Sequence, residues 1–330
     1  MAVAERYRAL DRFQQRHAWL AFPLAVYQKF SDDQAGYLAV VITYYGFFSV
    51  FPLLLVFTSV LGYVLQDHPR LYAQIVDSAL AQFPVIGPDL QVQALTGNPA
   101  AVVIGLVTAV WAGMGVFLAS QNAMNQIWGV PFRRRPGFLP ARLRALALLV
   151  ALGGGMLAAT AASTFARRLA SHALVFTGAT FAFSTLLGFG LYWVGFRVLA
   201  TGVSWRQVRG GAFAAAVLFS ILQILGSYYI DRVVRGATNT YGTFALVIGL
   251  LSWIYLIAVS TLLAAEANAV ATMGLWPRSL TWIGELPPTG ADRTAMRLRA
   301  RIEQRRRDMN VRLDVPGDDA GEAPPGRRDP

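Results

Sequence analysis

The apolar positions of this chain lie in long uninterrupted runs, not at the alternating or three-to-four spacing of half-buried strands and helices. Six runs reach the roughly 20 residues that a helix needs to cross about 30 Å of hydrocarbon. They are residues 37–65, 100–119, 145–165, 176–199, 211–230 and 244–273. The first and last exceed that minimum, which predicts tilt or projection beyond the bilayer. The pattern therefore predicts an all-α integral membrane protein with six transmembrane helices and peripheral amphipathic helices. Three units follow: an N-terminal interfacial helix over 1–36, a six-span membrane domain over 37–273, and a cytoplasmic basic tail over 274–330, disordered at its end.

The stretches between the runs predict the peripheral pieces. Up to Phe30, arginines interleave with Tyr7, Leu10, Phe13, Trp19 and Phe22, the composition of a helix lying in a membrane interface. Residues 66–97 read as one or two short amphipathic helices on the outer leaflet, broken at Pro84 and Gly87-Pro88. Residues 293–312 set Leu298, Ile302 and Met309 among arginines, which predicts a helix on the inner leaflet. The closing DVPGDDAGEAPPGRRDP has too few apolar residues to fold.

Composition supports the membrane reading. Hydrophobic residues make up 55% of the chain and charged residues 14%, against about 25% charged in soluble domains. There is no cysteine, which excludes disulfides, thiolate metal sites and a cysteine nucleophile. The N-terminus has no apolar core ending in a small-residue cleavage site, so no cleavable signal peptide is expected.

Net charge is +11, carried by arginine, with Lys29 the only lysine. One set of connecting segments holds Arg6, Arg8, Arg12, Arg16, Lys29, Arg133, Arg134, Arg135, Arg142, Arg144, Arg206 and Arg209. The opposite set holds Arg70, Arg167, Arg168, Arg232 and Arg235. The positive-inside bias then puts both termini in the cytoplasm, as an even number of spans requires. The expected location is the inner (plasma) membrane.

Catalytic and cofactor motifs are absent. The histidines are His17, His68 and His172, none at metal-ligand spacing from a carboxylate, and no phosphate loop or nucleophile elbow occurs. The chain is expected to be no enzyme and to hold no metal or cofactor. Gly154, Ala158 and Ala162 follow small-xxx-small spacing, which predicts close helix packing.

Polar groups inside apolar runs are the stronger signal, since each is unfavourable there unless paired or hydrated. Arg197 and Glu266 lie near the inner ends of the fourth and sixth runs, so an ion pair between them is expected; the alternative is that both reach the interface. Ser252, Tyr255, Val259, Leu262 and Glu266 share one helical face, as a water-lined pathway or a helix contact would require. Tyr44, Tyr45, Ser49 and Pro52 mark the first run, and the proline predicts a bend. Gln121, Asn122, Asn125 and Gln126 precede Arg133, Arg134 and Arg135, which suit anionic lipid headgroups or topological anchoring. The fifth run ends through Tyr228 and Asp231, and Thr238-Asn239-Thr240-Tyr241-Gly242 follows, fit for capping or for anion contact. The basic tail has no aromatic stacking platform, so membrane lipids are the expected partner and nucleic acid is not.

Four stretches carry a family resemblance. They are YYGFFSVFPLLLVFTSVLGYVL over 44–65, NAMNQIWGVPFRRR over 122–135, WRQVRGGAFAAAVL over 205–218 and TYGTFALVIGLLSWIYLIAVSTLLAAEANAV over 240–270. The chain resembles the YihY/BrkB family of inner-membrane proteins, once described as ribonuclease BN. The last stretch is the most specific, with Tyr241-Gly242 opening the helix and Glu266 and Asn268 near its end. The resemblance implies six spans and cytoplasmic termini, and transport or lipid movement as an activity. The expected function is transporter-like or lipid-handling, with an unidentified small-molecule or lipid substrate and a pathway drawn from the polar residues above. The alternative is a non-transporting scaffold that recruits anionic lipid or a cytoplasmic partner through its arginine-rich loop and tail.

Overall fold

The computed structural model describes residues 2–64, 67–70, 72–73, 99–169, 173–229, 243–280, 287–306, 308–309 and 311. Among them there is no strand. The helices are α1 (Ala2–Arg16), α2 (Ala18–Asp32), α3 (Ala35–Val64), α4 (Pro99–Ile127), α5 (Phe138–Leu169), α6 (Ala173–Leu199), α7 (Trp205–Tyr229), α8 (Thr243–Met273) and α9 (Gly290–Ile302), with a 3-10 turn at Phe132–Arg134. The expectations for 66–97, for Thr238 to Gly242 and for the closing stretch fall largely or wholly outside the described residues.

Each of the six apolar runs falls within one of α3 to α8, give or take a terminal residue. Among the described residues, four of these helices are long and apolar enough to cross a membrane, at Leu106–Ile127, Phe138–Gly155, Trp205–Gly226 and Val247–Met273. The apolar stretches Ala35–Val50 and Thr185–Leu199 are shorter. Large apolar side chains stay exposed around the helices, among them Trp111, Val150, Leu186, Phe213 and Ile224. Water-facing helices carry polar residues there; these faces suit lipid.

The core gathers at one end of the bundle. It is built mainly from small residues, such as Ala35, Ala123, Ala212, Ala258, Ala265 and Ala269, closed by Met124, Leu148, Phe196 and Leu262. Small side chains let helix backbones approach closely, which supplies packing where apolar burial alone gives little net drive. α8 is the hub, touching α2, α3, α4 and α7. At Gly226 of α7 a side chain would meet the Trp253 ring of α8 at 2.3 Å, so only glycine admits that crossing. Of the stripe expected to pack closely, Gly154 is exposed, neighbouring Gly155 meets Leu191 of α6, and the side chains of Ala158 and Ala162 lie outside the described residues.

Two units differ from expectation. The N-terminal region is two helices, broken where His17 adopts an extended conformation. α2 packs on α8, and Ala25 and Val26 of α2 bury against Val270 and Leu275. The described part of the tail, through α9, packs on the protein. α4 ends in a Schellman turn, with the Val130 amide donating to the Asn125 carbonyl at 2.8 Å and Gly129 at φ +61°. Leu298 of α9 seats on that glycine. Thr289 and Asp292 close a capping box at the start of α9. A leaflet-lying helix would leave its apolar side in lipid; Ile302 is instead buried and Leu298 half-buried against the protein.

Candidate functional site

The charged residues that composition made conspicuous by rarity meet at the packed end. Lys29 stands in the last turn of α2 and is 4% exposed. Its Nζ donates to Asp33 Oδ2 at 2.5 Å, to the Ile127 carbonyl at 2.8 Å and to Glu266 Oε2 at 2.9 Å. Ile127 offers that carbonyl because α4 ends there and its last carbonyls have no helical partner. All three ammonium donors are thus used. Glu266, on α8, is fully buried, and its Oε1 has no hydrogen-bond partner among the described residues. Burial opposes the charge on Lys29, but Glu266 and Asp33 outweigh it and raise its pKa above the ordinary lysine value. Burial pushes the Asp33 carboxyl up, only partly offset by Lys29.

A second polar cluster adjoins the first. Arg278, just past α8, donates from Nε to Asp292 Oδ1 at 2.8 Å and from Nη1 to Asp32 Oδ2 at 2.7 Å. Asp292 Oδ2 accepts from the amide and hydroxyl of Ser279, at 2.9 and 2.8 Å, and from the amide and hydroxyl of Thr289, at 2.9 and 2.8 Å. Burial works against its charge, yet Arg278 and these donors hold its pKa below the ordinary aspartate value. α1 joins through Asp11, which accepts from the Leu280 amide at 2.9 Å, and Gln14, which donates to the Arg278 carbonyl at 2.6 Å. A cavity of about 170 Å³ lies between the clusters, lined by Lys29, Asp32, Asp33, Arg278, Leu298 and Arg299 among others.

The structure gathers few of the residues singled out in the sequence. Glu266 holds Lys29, not Arg197; the Arg197 guanidinium lies 5.7 Å over the Trp205 ring. Asn268 bridges helices, donating to the Gln207 carbonyl of α7 at 2.7 Å and packing on Gly211. Tyr44 and Tyr45 are exposed, with Tyr44 edge-on to Tyr45 and tilted against Phe48. α3 continues unbroken through Pro52. The stripe on α8 divides: Leu262 and Glu266 are buried, Ser252 is half-buried and Tyr255 is 37% exposed. Arg133 and Arg134 are exposed. Arg135 is turned inward, donating to Asn122 Oδ1 at 2.7 Å, Gln126 Oε1 at 3.2 Å and the Val130 carbonyl at 3.2 Å. The side chain of Tyr228, and Asp231 and Tyr241 entirely, lie outside the described residues. Among those described, no group of three or more His, Cys, Asp or Glu could hold a metal.

Lys29, Asp32, Asp33, Arg278 and Asp292 were not singled out as site residues. Lys29 carried one signal, its being the only lysine in an arginine-rich chain. The carboxylates carried none, since acidic residues flanking helices are ordinarily solvated.

Residues 26–275 match the family described as Virulence factor BrkB. The chain is similar to the inner membrane protein YhjD of Escherichia coli, 24% identical over 78% of this chain and 82% of that protein. It is 36% identical to a UPF0761 membrane protein of Aromatoleum aromaticum over 50% of this chain and 42% of that one, so it spans less than half that relative's length. It is 24% identical to a ribonuclease-like protein, YfkH, of Bacillus subtilis over 69% of this chain and 87% of that one. No solved structure matches.

Proposed function

The chain belongs to the BrkB family of membrane proteins, and on that premise we propose that it is a transporter-like or lipid-handling protein with a pathway ending at the Lys29–Asp33–Glu266 cluster. The observation that carries this reading is three ionisable side chains buried where α2, α4 and α8 converge, beside a cavity. Glu266 is an ionisable group inside a membrane helix, and such groups are unfavourable there and mark substrate and ion pathways.

The proposed topology is six spans, α3 to α8, in an inner membrane with both termini cytoplasmic. α1 contacts the segment after α8 through Asp11 and Gln14, which suits termini on one side. The arginine-rich loops share that end: the Arg133 amide donates to the Gln304 carbonyl, and the Thr201 amide to Asn125. The positive-inside bias assigns it to the cytoplasm. The reading makes the chain a carrier and no enzyme, since its buried ionisable groups are engaged with one another in ion pairs and not set against a nucleophile or a metal site among the described residues. The scaffold alternative gains nothing from the tail, whose helix α9 is docked on the protein.

Native mass spectrometry of the full chain in mild detergent tests the reading, together with flux from proteoliposomes. A stoichiometric lipid or metabolite that is lost in Glu266→Gln supports it and names the substrate class. A spectrum that the substitution leaves unchanged, with no lipid or solute moved under any imposed gradient, overturns it.

A further inference from the structure

The Lys29 cluster has an unbalanced charge count. One ammonium stands between two carboxyls, and all three side chains are at most 7% exposed. With both carboxyls ionised the cluster holds one excess negative charge out of water, an arrangement that buried groups escape by taking up a proton or a cation. Among the described residues the surroundings do not supply the missing charge. Arg278 and Arg299 line the adjoining cavity with Asp32, and Arg278 is held by Asp292, so those four groups cancel. α4 presents only the Ile127 carbonyl to Lys29. Arg206 and Arg209 of α7 are exposed, and Arg197 of α6 lies over Trp205.

We propose that the Lys29–Asp33–Glu266 cluster is a proton-binding site, holding one exchangeable proton between the Asp33 and Glu266 carboxyls and loading it from the cavity under α9. Both carboxyls bond the same Lys29 nitrogen, and the Asp33 and Glu266 carboxyls also stand in hydrogen-bond contact with each other, the arrangement in which two carboxyls in one site share a proton. Glu266 Oε1, buried and without a hydrogen-bond donor among the described residues, is the acceptor left for that proton. A metal cation fits poorly, because the Lys29 ammonium already occupies the centre between the carboxyls. Asp33 borders the cavity and gives the proton its route; its raised pKa agrees with that role. The proposal rests on the transport reading for its use, as the ion that drives movement, but not for its chemistry.

Infrared titration of the full chain in lipid tests it, reading the C=O stretch of protonated carboxyls. Expected is a band that persists well above the ordinary carboxyl pKa of about 4, shifts in D2O, and vanishes in Glu266→Gln and equally in Asp33→Asn. Either substitution leaves one carboxylate balanced by Lys29 and removes the reason to hold a proton. A band absent from the wild-type chain overturns the proposal, as does one that survives both substitutions. Loss of the band on adding Na⁺ at constant pH also overturns it, in favour of a metal cation. Flux measured on the same proteoliposomes reports separately on transport: a titrating band without flux leaves the proton site standing and removes its use.

Discussion

Arg278 is the pin that fastens the tail helix, and replacing it with glutamine tests whether α9 is docked as described. The guanidinium is 5% exposed and ties Asp292, itself fully buried, to Asp32 of α2. Removing one partner of a buried pair costs about 3–5 kcal/mol, because the other charge stays desolvated. Here Asp32 is 36% exposed, and Asp292 keeps its bonds from Ser279 and Thr289. The loss therefore falls at the lower end, about 3 kcal/mol. At 1.4 kcal/mol per decade, α9 should open on the order of a hundredfold more often. Hydrogen–deuterium exchange of the Gly290–Ile302 amides, read by mass spectrometry in detergent, measures this directly. The α8 amides around Leu262 act as the internal control. Protection of α9 that changes by less than about threefold, about 0.7 kcal/mol, would refute the docking energetics argued here.

Acid should undock the same helix. The Asp292 pKa is lowered in the folded chain, so its stabilisation is complete above the unfolded value of about 3.9 and is lost as pH falls below it through the folded value; the protection factors of the α9 amides, corrected for the intrinsic pH dependence of exchange, should fall there and stay flat between about pH 6 and 8. Lys29→Met should destabilise the chain by about 3–5 kcal/mol by leaving two carboxyls without their cation, and Lys29→Arg should not restore it, because a planar fork cannot copy three converging ammonium bonds; the melting temperature in detergent reads both, and a neutral Lys29→Met would refute the cluster. Gly226→Ala should cost about 1–3 kcal/mol, since its new methyl meets a Trp253 ring that is 3% exposed and cannot swing aside; an unchanged melting temperature would show that the α7–α8 crossing is looser than described. Arg133→Ala and Arg134→Ala should each weaken retention on anionic vesicles by about 1 kcal/mol with no change in melting temperature, whereas Arg135→Ala should lower the melting temperature, because its guanidinium holds Asn122, Gln126 and Val130.

Glu266 shows what was legible and what was not. Its place inside an apolar run marked it as a group needing a partner, and that inference needs only the solvation of a charge. The partner was misassigned to Arg197, since matching depth in a bundle says nothing about which helices are neighbours. Lys29 reached it from α2, a helix that the arginines and aromatics of the N-terminus suggested was merely interfacial. Tyr255 and Glu266 shared a helical stripe by spacing alone, yet α8 meets four other helices and its faces are covered unequally. Arg133, Arg134 and Arg135 are alike in sequence, and only the turn ending α4 sent the third inward.

What the sequence determined by itself is the set of long helices, because backbone groups in an apolar run have no partner but one another, and the segregation of arginine to one set of loops, because that bias is set by each loop's own composition. The tertiary structure alone decided which ionisable groups meet, that α9 folds back onto the α4 turn, and that Lys29 is enclosed rather than solvated. Those outcomes depend on helix neighbours and on where helix ends leave carbonyls unpaired, such as that of Ile127, and pairwise proximity between elements far apart in the chain is written in no local stretch of it.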